Sequence, residues 1–558
     1  MRHLLIALLL LAPYLLAQEP ANPPAQTGSS APAPVTDKDK CTVEGKVVDA
    51  ADGKPLRKAI VTLFPSERRD SRPMSVGTDA DGIFTFKGVD PGRFRLAANR
   101  RGYVTQQYGQ TATNRPGTML TLQPGQHVKD ILFRLQVSAA VSGRILDEDG
   151  EPLANVQVNA LRHSYRDGRR TLMPAGFSSS NDLGEYRIFG LAPGEYFIRA
   201  AFSGNSMTGG FISFDIDQVG DSTYAPTFYP GVQEGSQATP INLRAADDIR
   251  VNFTLSPTRA FSIRGKVINP SASGGRASLT LMPRDEMEQF TFGPGNNSIV
   301  NPDGTFEFRH VLPGSYTIIG RTNDEKGRYT ARQNIEMADR NLTNVIVAFS
   351  PASDIPGRFT VTGSFQGRLR DLNVFLQPDS GSRMGGETAG AKDDGFFVLT
   401  GVADDLYRIR VGGVPPNAYI KTARYGSEDV LEKGLDPAGA HQSLEIVVSG
   451  DGGRISGAVS DKDQKAQPGI TVVAIPDHPI RWISERSKPT STDQNGRFNI
   501  QGLRPGRYRL YAFEEIEPGA YDDPQFMKRY LDHGKAVDIS ENSQQTVDLT
   551  VIGREENQ

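Results

Sequence analysis

The sequence predicts an all-β chain, a tandem array of five Greek-key β-sandwich modules. Three observations carry this. A fifteen-residue stretch, Gly82-Ile-Phe-Thr-Phe-Lys-Gly-Val-Asp-Pro-Gly-Arg-Phe-Arg-Leu96, returns in register from Gly184, Gly304, Gly395 and Gly496. Each copy is preceded by a strand with a central glycine and followed by a strand of alternating apolar residues. Helix patterning is almost absent.

Within each copy the aromatics and aliphatics fall on one parity. Phe84, Tyr186, Phe306, Phe397 and Phe498 lie two residues after the glycine, and the pairs Phe94/Leu96, Tyr196/Ile198, Tyr316/Ile318, Tyr407/Ile409 and Tyr508/Leu510 close the stretch. Period-two alternation around Gly and Pro-Gly turns reads as strand, turn, strand with one buried face. A one-residue slip would expose every aromatic, so the pattern also fixes register. These two strands are expected to form a hairpin at the centre of each module. The fourth copy carries Ala403-Asp404-Asp405 where the others have Pro-Gly, an irregular turn that Asp tolerates less readily than Gly.

The opening strands are Val43-Glu-Gly-Lys-Val47, Val141-Ser-Gly-Arg-Ile145, Ile263-Arg-Gly-Lys-Val267, Val361-Thr-Gly-Ser-Phe365 and Ile455-Ser-Gly-Ala-Val459. A glycine inside a strand marks a bulge or a close backbone approach. Closing strands carry the triplets Ile131/Phe133/Leu135, Val251/Phe253/Leu255, Val345/Val347/Phe349, Leu444/Ile446/Val448 and Val547/Leu549/Val551. With the strands between, each module has about seven, the count of a Greek-key sandwich. The modules are expected at 41–136, 137–257, 258–350, 351–449 and 450–558, with short connections that limit flexing within an elongated array. One helix is expected, from Asp523 to Leu531, with Asp523 as cap, Pro524 in the first turn and Gly534 ending it.

Residues 1–17 have a basic start, an apolar run and Ala17 as a cleavage residue, the pattern of a secretory signal peptide. The run is too short to span a bilayer well, and no cysteine follows it directly to take a lipid. Residues 18–40, rich in Pro and Ala, read as a linker. The processed chain is thus expected outside the cytoplasm, periplasmic, on the cell surface or secreted, with no transmembrane segment. Its single cysteine, Cys41, excludes an intramolecular disulfide. A net charge of −3 argues against a nucleic-acid partner, which needs a basic surface. The basic run from Arg166 to Arg170 reads as a solvated hairpin tip.

The opening G-x-[VI] strand, the D-x-x-G-x-[FY] turn and the G-[LV]-x-P-G-x-[YF]-x-[LI] stretch resemble the carboxypeptidase regulatory-like domain from about Thr42 to Ile552, most closely in modules 1, 2 and 5. The resemblance implies a transthyretin-like, Ig-like β-sandwich grouped with carbohydrate-binding-like folds. It implies a tendency to stabilise or bind, and no reaction. Fold alone does not carry function.

No histidine has a glutamate three residues on, as a zinc carboxypeptidase pair would require, and His127 has only Asp130 there. Nucleophile-elbow and phosphate-loop motifs are absent from the sequence. The chain ends in Arg554-Glu-Glu-Asn-Gln558, without the Tyr-Arg-Gly-Ser tail of transthyretin-like hydrolases. No catalytic residue, metal or cofactor is therefore assigned. Acidic turns such as Asp79-Ala-Asp-Gly82 and Asp493-Gln-Asn-Gly496 read as tight turns before calcium loops.

Aromatic segments recur after the central stretch: Tyr103 and Tyr108, then Tyr224, Phe228 and Tyr229, then Tyr521, Phe526 and Tyr530. Their rings either offer flat faces to sugar C–H groups or seal the open side of each sandwich. Trp482, the only tryptophan, stands beside His478 and Arg481 as a sugar-stacking or partner contact. The reading is a non-enzymatic, exported binding scaffold for a polysaccharide or glycan. A structural or adhesive array for another exported protein is the alternative, and an accessory chain to a secreted hydrolase or outer-membrane receptor the third.

Overall fold

The computed structural model describes residues 37–66, 72–110, 115–166, 168–202, 205–208, 211–214, 222–268, 277–284, 297–324, 327–379, 386–437, 442–477 and 487–553. The expected signal peptide, most of the linker and Trp482 lie outside them. Among the described residues no helix is long and apolar enough to cross a membrane.

The chain is all-β, and the first sandwich shows the plan. The strand Cys41–Asp49 sits between Ile83–Val89, antiparallel to it, and His127–Leu135, parallel to it. Facing this sheet is a second, in which Ile60–Pro65 lies between Met74–Gly77 and Gly92–Asn99, and Gln106–Gln107 and Leu120–Leu122 pair with the far side of Gly92–Asn99. Val43, Val47, Phe84, Phe86, Leu63, Leu96 and Phe133 fill the space between the sheets. Each fully buried phenylalanine contributes roughly 1.5–3 kcal/mol. Comparable clusters form around Val141, Ile263, Ile355 and Ile455. Cys41 belongs to the first core, its thiol donating to the Gln123 carbonyl at 3.0 Å.

The repeated stretch is not a hairpin. Ile83–Val89 belongs to the first sheet and Gly92–Asn99 to the second, and the same division holds in every copy. The Pro-Gly turn is a corner that carries the chain across the core. Alternation could not reveal this, because a strand buries one face whether its neighbour in sequence lies beside it or opposite it. Nor did it reveal that all five closing strands run parallel to the opening strands.

The strand glycines explain the first sheet. Gly45, Gly143, Gly265, Gly357 and Gly457 stand directly opposite Phe84, Tyr186, Phe306, Phe397 and Phe498. A Cβ at Gly143 would lie 1.8 Å from the Val251 carbonyl oxygen and 3.0 Å from the Tyr186 ring. At Gly265 the corresponding distances are 2.0 Å to Val345 oxygen and 2.7 Å to the Phe306 ring. The missing side chain lets the ring lie across the opening strand while the closing strand comes in over the same residue.

In module 4 this role falls to Gly357 within Ser353–Thr362, and the expected Val361–Phe365 strand is displaced. Gly363 lies beyond the strand, with φ 65°. Pro356 disguised the true strand, since proline rarely enters a sheet interior. The same module also moves one strand, Tyr419–Tyr425, into the first sheet beside Leu444–Ser449.

The expected helix is one α-turn, Pro524–Met527, continued as a 3-10 helix, Lys528–His533. The Asp523 carboxylate caps it, accepting from the Gln525 amide at 2.8 Å. In the acidic turns, Asp79 accepts from the Asp81 and Ile83 amides at 2.9 and 2.8 Å, and Asp493 from the Asn495 and Arg497 amides at 2.9 Å each. Those carboxylate oxygens serve the turns.

Replacing Gly143 by alanine should destabilise the second module by about 1–3 kcal/mol, as overpacking does. Gly77→Ala, where an added Cβ meets nothing within 4 Å, should leave stability unchanged within about 0.5 kcal/mol. Calorimetric unfolding of both full-length variants checks this; equal losses would mean that the close approach at Gly143 is not a constraint.

Candidate functional site

Consecutive modules are joined by specific contacts. Between the first and second, the Ser138 amide donates to the Gly102 carbonyl at 2.9 Å. Between the second and third, Ser222–Tyr224 pairs with Pro257–Arg259. Between the third and fourth, Arg332 meets Asp405 at 3.1 Å with both side chains about 15% exposed. Asp405 is the residue by which the fourth repeat departs from Pro-Gly, so the departure supplies an interdomain ion pair. Between the fourth and fifth, Glu541 accepts from Lys421 Nζ at 2.7 Å and from the Tyr419 hydroxyl at 2.9 Å.

The array is not extended as the sequence suggested: module 5 returns to modules 1 and 2. The Gln494 side chain brackets the backbone of Thr121, accepting from its amide at 3.1 Å and donating to its carbonyl at 2.8 Å. The Thr121 hydroxyl donates to Asp493 at 3.0 Å and the Ser491 hydroxyl to the Gly117 carbonyl at 2.9 Å. Arg115 pairs with Glu515 at 2.5 Å. Leu120–Leu122 is an outer strand of its sheet, and an edge with unpaired backbone groups is an available docking line. Repeat periodicity carries no information about such contacts, which join residues nearly 400 positions apart.

The second module reaches the fifth through a long ribbon, Val156–Arg166 paired with Arg169–Ser179. The expected solvated tip is exposed at Arg169 and Arg170, but Tyr165 beside it packs edge-on against Phe526 at 5.8 Å. Here Tyr511, Phe513, Ile516, Met527 and Tyr530 form a small second core in module 5.

Where the three modules meet lies a cleft of about 590 Å³, within the usual range of small-ligand sites. Module 1 contributes Arg95 and Arg115, module 2 Arg162 and His163, and module 5 Glu517 and Tyr521. The His163 ring stands edge-on to Phe197 at 5.3 Å. Burial, and then the Arg170 charge, push its imidazole below the usual histidine range, which keeps it neutral at pH 7. His163 Nδ1 and Glu517 Oε2 are buried with no protein partner among the described residues. A buried polar atom without a partner costs about 1–3 kcal/mol and asks for a ligand or solvent.

The aromatic residues singled out in the sequence scatter. Tyr521 alone among them lines the cleft. Tyr103 donates to Asp49 at 2.9 Å with Arg100 over its ring, at the junction of modules 1 and 2. Tyr108 packs on the first core, and Tyr224 and Tyr229 on the second. Phe228, 3% exposed, lies beneath Arg199, and Tyr530, 1% exposed, is enclosed by Phe513 and Phe526. Phe526 is covered by Tyr165 and Arg529. Phe228 and Tyr530 therefore offer no open face to a sugar: their rings seal the sandwiches. Arg95, Arg162, His163 and Glu517 carry no motif, since nothing local in the sequence says that they converge.

Residues 42–136, the span of module 1, match the family model of the carboxypeptidase regulatory-like domain. No curated protein matches the sequence. Among solved structures, the TIE protein of Bacillus anthracis is 12% identical over 55% of this chain and 50% of its own, with a TM-score of 0.15. The chain thus spans half the length of that protein. The minor pilin of Streptococcus agalactiae is 13% identical over 39% of this chain and 96% of its own, with a TM-score of 0.22. The major pilin subunit of Bacillus cereus is 11% identical over 56% and 100%, with a TM-score of 0.14. At such values these likenesses say nothing of what this chain does.

Two outcomes are expected. Hydrogen bonds from Lys421 and then Tyr419 hold the Glu541 carboxyl below the usual carboxylate range. The junction of modules 4 and 5 therefore gains from Glu541 at neutral pH and loses that gain as pH falls through the lowered value. In Glu541→Gln the acid-induced loosening, read as energy transfer between dyes on modules 4 and 5 from about pH 6 to about pH 3, should shrink; an unchanged profile would exclude this carboxylate. In the Gln494→Ala/Ser491→Ala variant the return of module 5 should weaken by about 1 kcal/mol per hydrogen bond, and small-angle scattering should show a larger radius of gyration. An unchanged radius would show that these bonds do not hold the closure.

Proposed function

We propose that the protein is a non-enzymatic, exported binding scaffold whose ligand is a glycan held in the cleft between modules 1, 2 and 5. In this reading the modules span 41–136, 137–257, 258–350, 351–449 and 450–558, and residues 1–17 direct export. The observation that carries it is the cleft itself: module 5 meets the consecutive modules 1 and 2 there, and guanidinium, imidazole, carboxylate and phenol side chains line one volume. Such a mixture of donors and acceptors beside a tyrosine suits a polyhydroxylated ligand. Glu517 is the one carboxylate lining the cleft among the described residues. A glycosidase of the common kind uses two flanking the bond, so the lining favours binding over hydrolysis.

A second reading has its own observation. Phe177 and Phe189 of module 2 are 68% and 78% exposed. They lie on Arg169–Ser179 and Glu185–Leu191, outer strands of the two sheets. An open sheet edge with exposed aromatics suits another exported protein, the structural or adhesive alternative.

A glycan-array screen of the full chain beside Ser164→Trp, which places a large ring in the cleft, tests the first reading. A specific signal lost in that variant is the expected result. A signal kept there but lost in Trp482→Ala would move the site to the residues around Trp482. No signal, with partner binding abolished in Phe177→Asp, would favour the adhesive reading.

A further inference from the structure

We infer that the cleft selects an acidic saccharide, a uronate-containing unit of one or two rings, with its carboxylate toward Arg95 and its hydroxyls toward His163 and Glu517. This rests on the glycan-binding reading and adds the charge of the ligand.

Charge comes first. The chain as a whole is acidic, with a net charge of −3, yet among the described residues the cleft is lined by Arg95, Arg115 and Arg162 against the single carboxylate of Glu517. Two of the arginines have structural duties. Arg115 pairs with Glu515 across the closure, and Arg162 lies beside the Tyr196 hydroxyl. Arg95 is different: it is exposed, on the Gly92–Asn99 strand, and meets no carboxylate among the described residues. Its planar fork matches a carboxylate in two parallel hydrogen bonds. Arginine positive charge in a concave wall also concentrates anions around it.

The lining from modules 2 and 5 argues for hydroxyls. The unpartnered Glu517 Oε2 needs a donor and the unpartnered His163 Nδ1 needs a polar partner. Sulfate or phosphate meets the arginine but offers Glu517 only repulsion, leaving its buried oxygen unpaired. A neutral sugar meets Glu517 and His163 but leaves Arg95 without a counter-charge. A sugar acid supplies a partner for each of these groups, since its carboxylate meets the arginine and each hydroxyl both donates and accepts. The volume of about 590 Å³ admits a ligand of this size.

Calorimetric titration of the full chain tests the inference with three groups of probes: acidic disaccharides from pectate, alginate and hyaluronan; neutral cellobiose and galactobiose; and sodium sulfate. At least one acidic disaccharide should bind at least about tenfold more tightly than either neutral one, which corresponds to about 1.4 kcal/mol. Arg95→Gln should remove about that advantage, bringing the acidic disaccharides to the affinity of the neutral ones. Arg95 is exposed, so this variant keeps the fold. Equal binding of neutral and acidic sugars would overturn the charge selection and leave the glycan reading standing. Sulfate binding as tightly as the sugar acids would make the cleft an anion site and remove the glycan reading too. No heat from any probe at millimolar concentration would remove both.

Discussion

Each module depends on an aromatic ring laid across a glycine. In the opening strand, Gly45, Gly143, Gly265, Gly357 and Gly457 each face the first aromatic of the repeated stretch on one neighbouring strand, and the closing strand's backbone crowds the same position from the other side. Two strands and a ring thus converge where only a hydrogen atom stands. The contact sets the register of all three strands together, and a shift by one residue would drive a side chain into the ring. It also fills the centre of the core, with Phe84 and Phe397 almost wholly buried. The repeat is legible in the sequence because this packing permits so little substitution.

The same arrangement dictates how modules connect. Opening and closing strands are neighbours and run parallel, so the chain enters a module at one end of its first sheet and leaves at the other. Modules so built follow one another end to end, and close junctions fix the angles between them. What differs from module to module is concentrated at those junctions. Asp405 replaces a corner glycine and faces Arg332, Gln494 turns its amide onto a foreign strand edge, and Tyr165 extends a ribbon to reach Phe526. The cores are interchangeable in kind, and the contacts between them give the chain its individual form.

How much was legible follows from what alternation reports. It shows which face of a strand is buried, so the all-β sandwich cores, the aromatic register, the Asp523 cap and the acidic turns could be read from the residues. It is silent on which strand lies alongside. The stretch that looked like a hairpin is a corner between sheets, the parallel closing strand was unforeseen, and Pro356 hid the fourth opening strand behind Gly363. Aromatic composition left two readings open for a related reason. A ring sealing a core and a ring awaiting a sugar have the same letter, and Tyr530 proved to be the former. The cleft had no signature, because Arg95, His163 and Glu517 share neither a strand nor a repeat position.

A site made at a closure has a thermodynamic consequence that a site within one module lacks. The walls of the cleft come together only when module 5 lies against modules 1 and 2, so the binding-competent population is the closed one. Any ligand spanning these walls binds closed chains in preference to open ones and shifts the balance toward closure, by RT ln(1 + [L]/Kd). Conversely, weakening the Gln494 or Ser491 hydrogen bonds would lower apparent affinity in proportion to the closed fraction. In the proposed reading binding and architecture are one equilibrium: along the seam, hydrogen bonds of about 1 kcal/mol each hold the modules closed without fusing them into a single core.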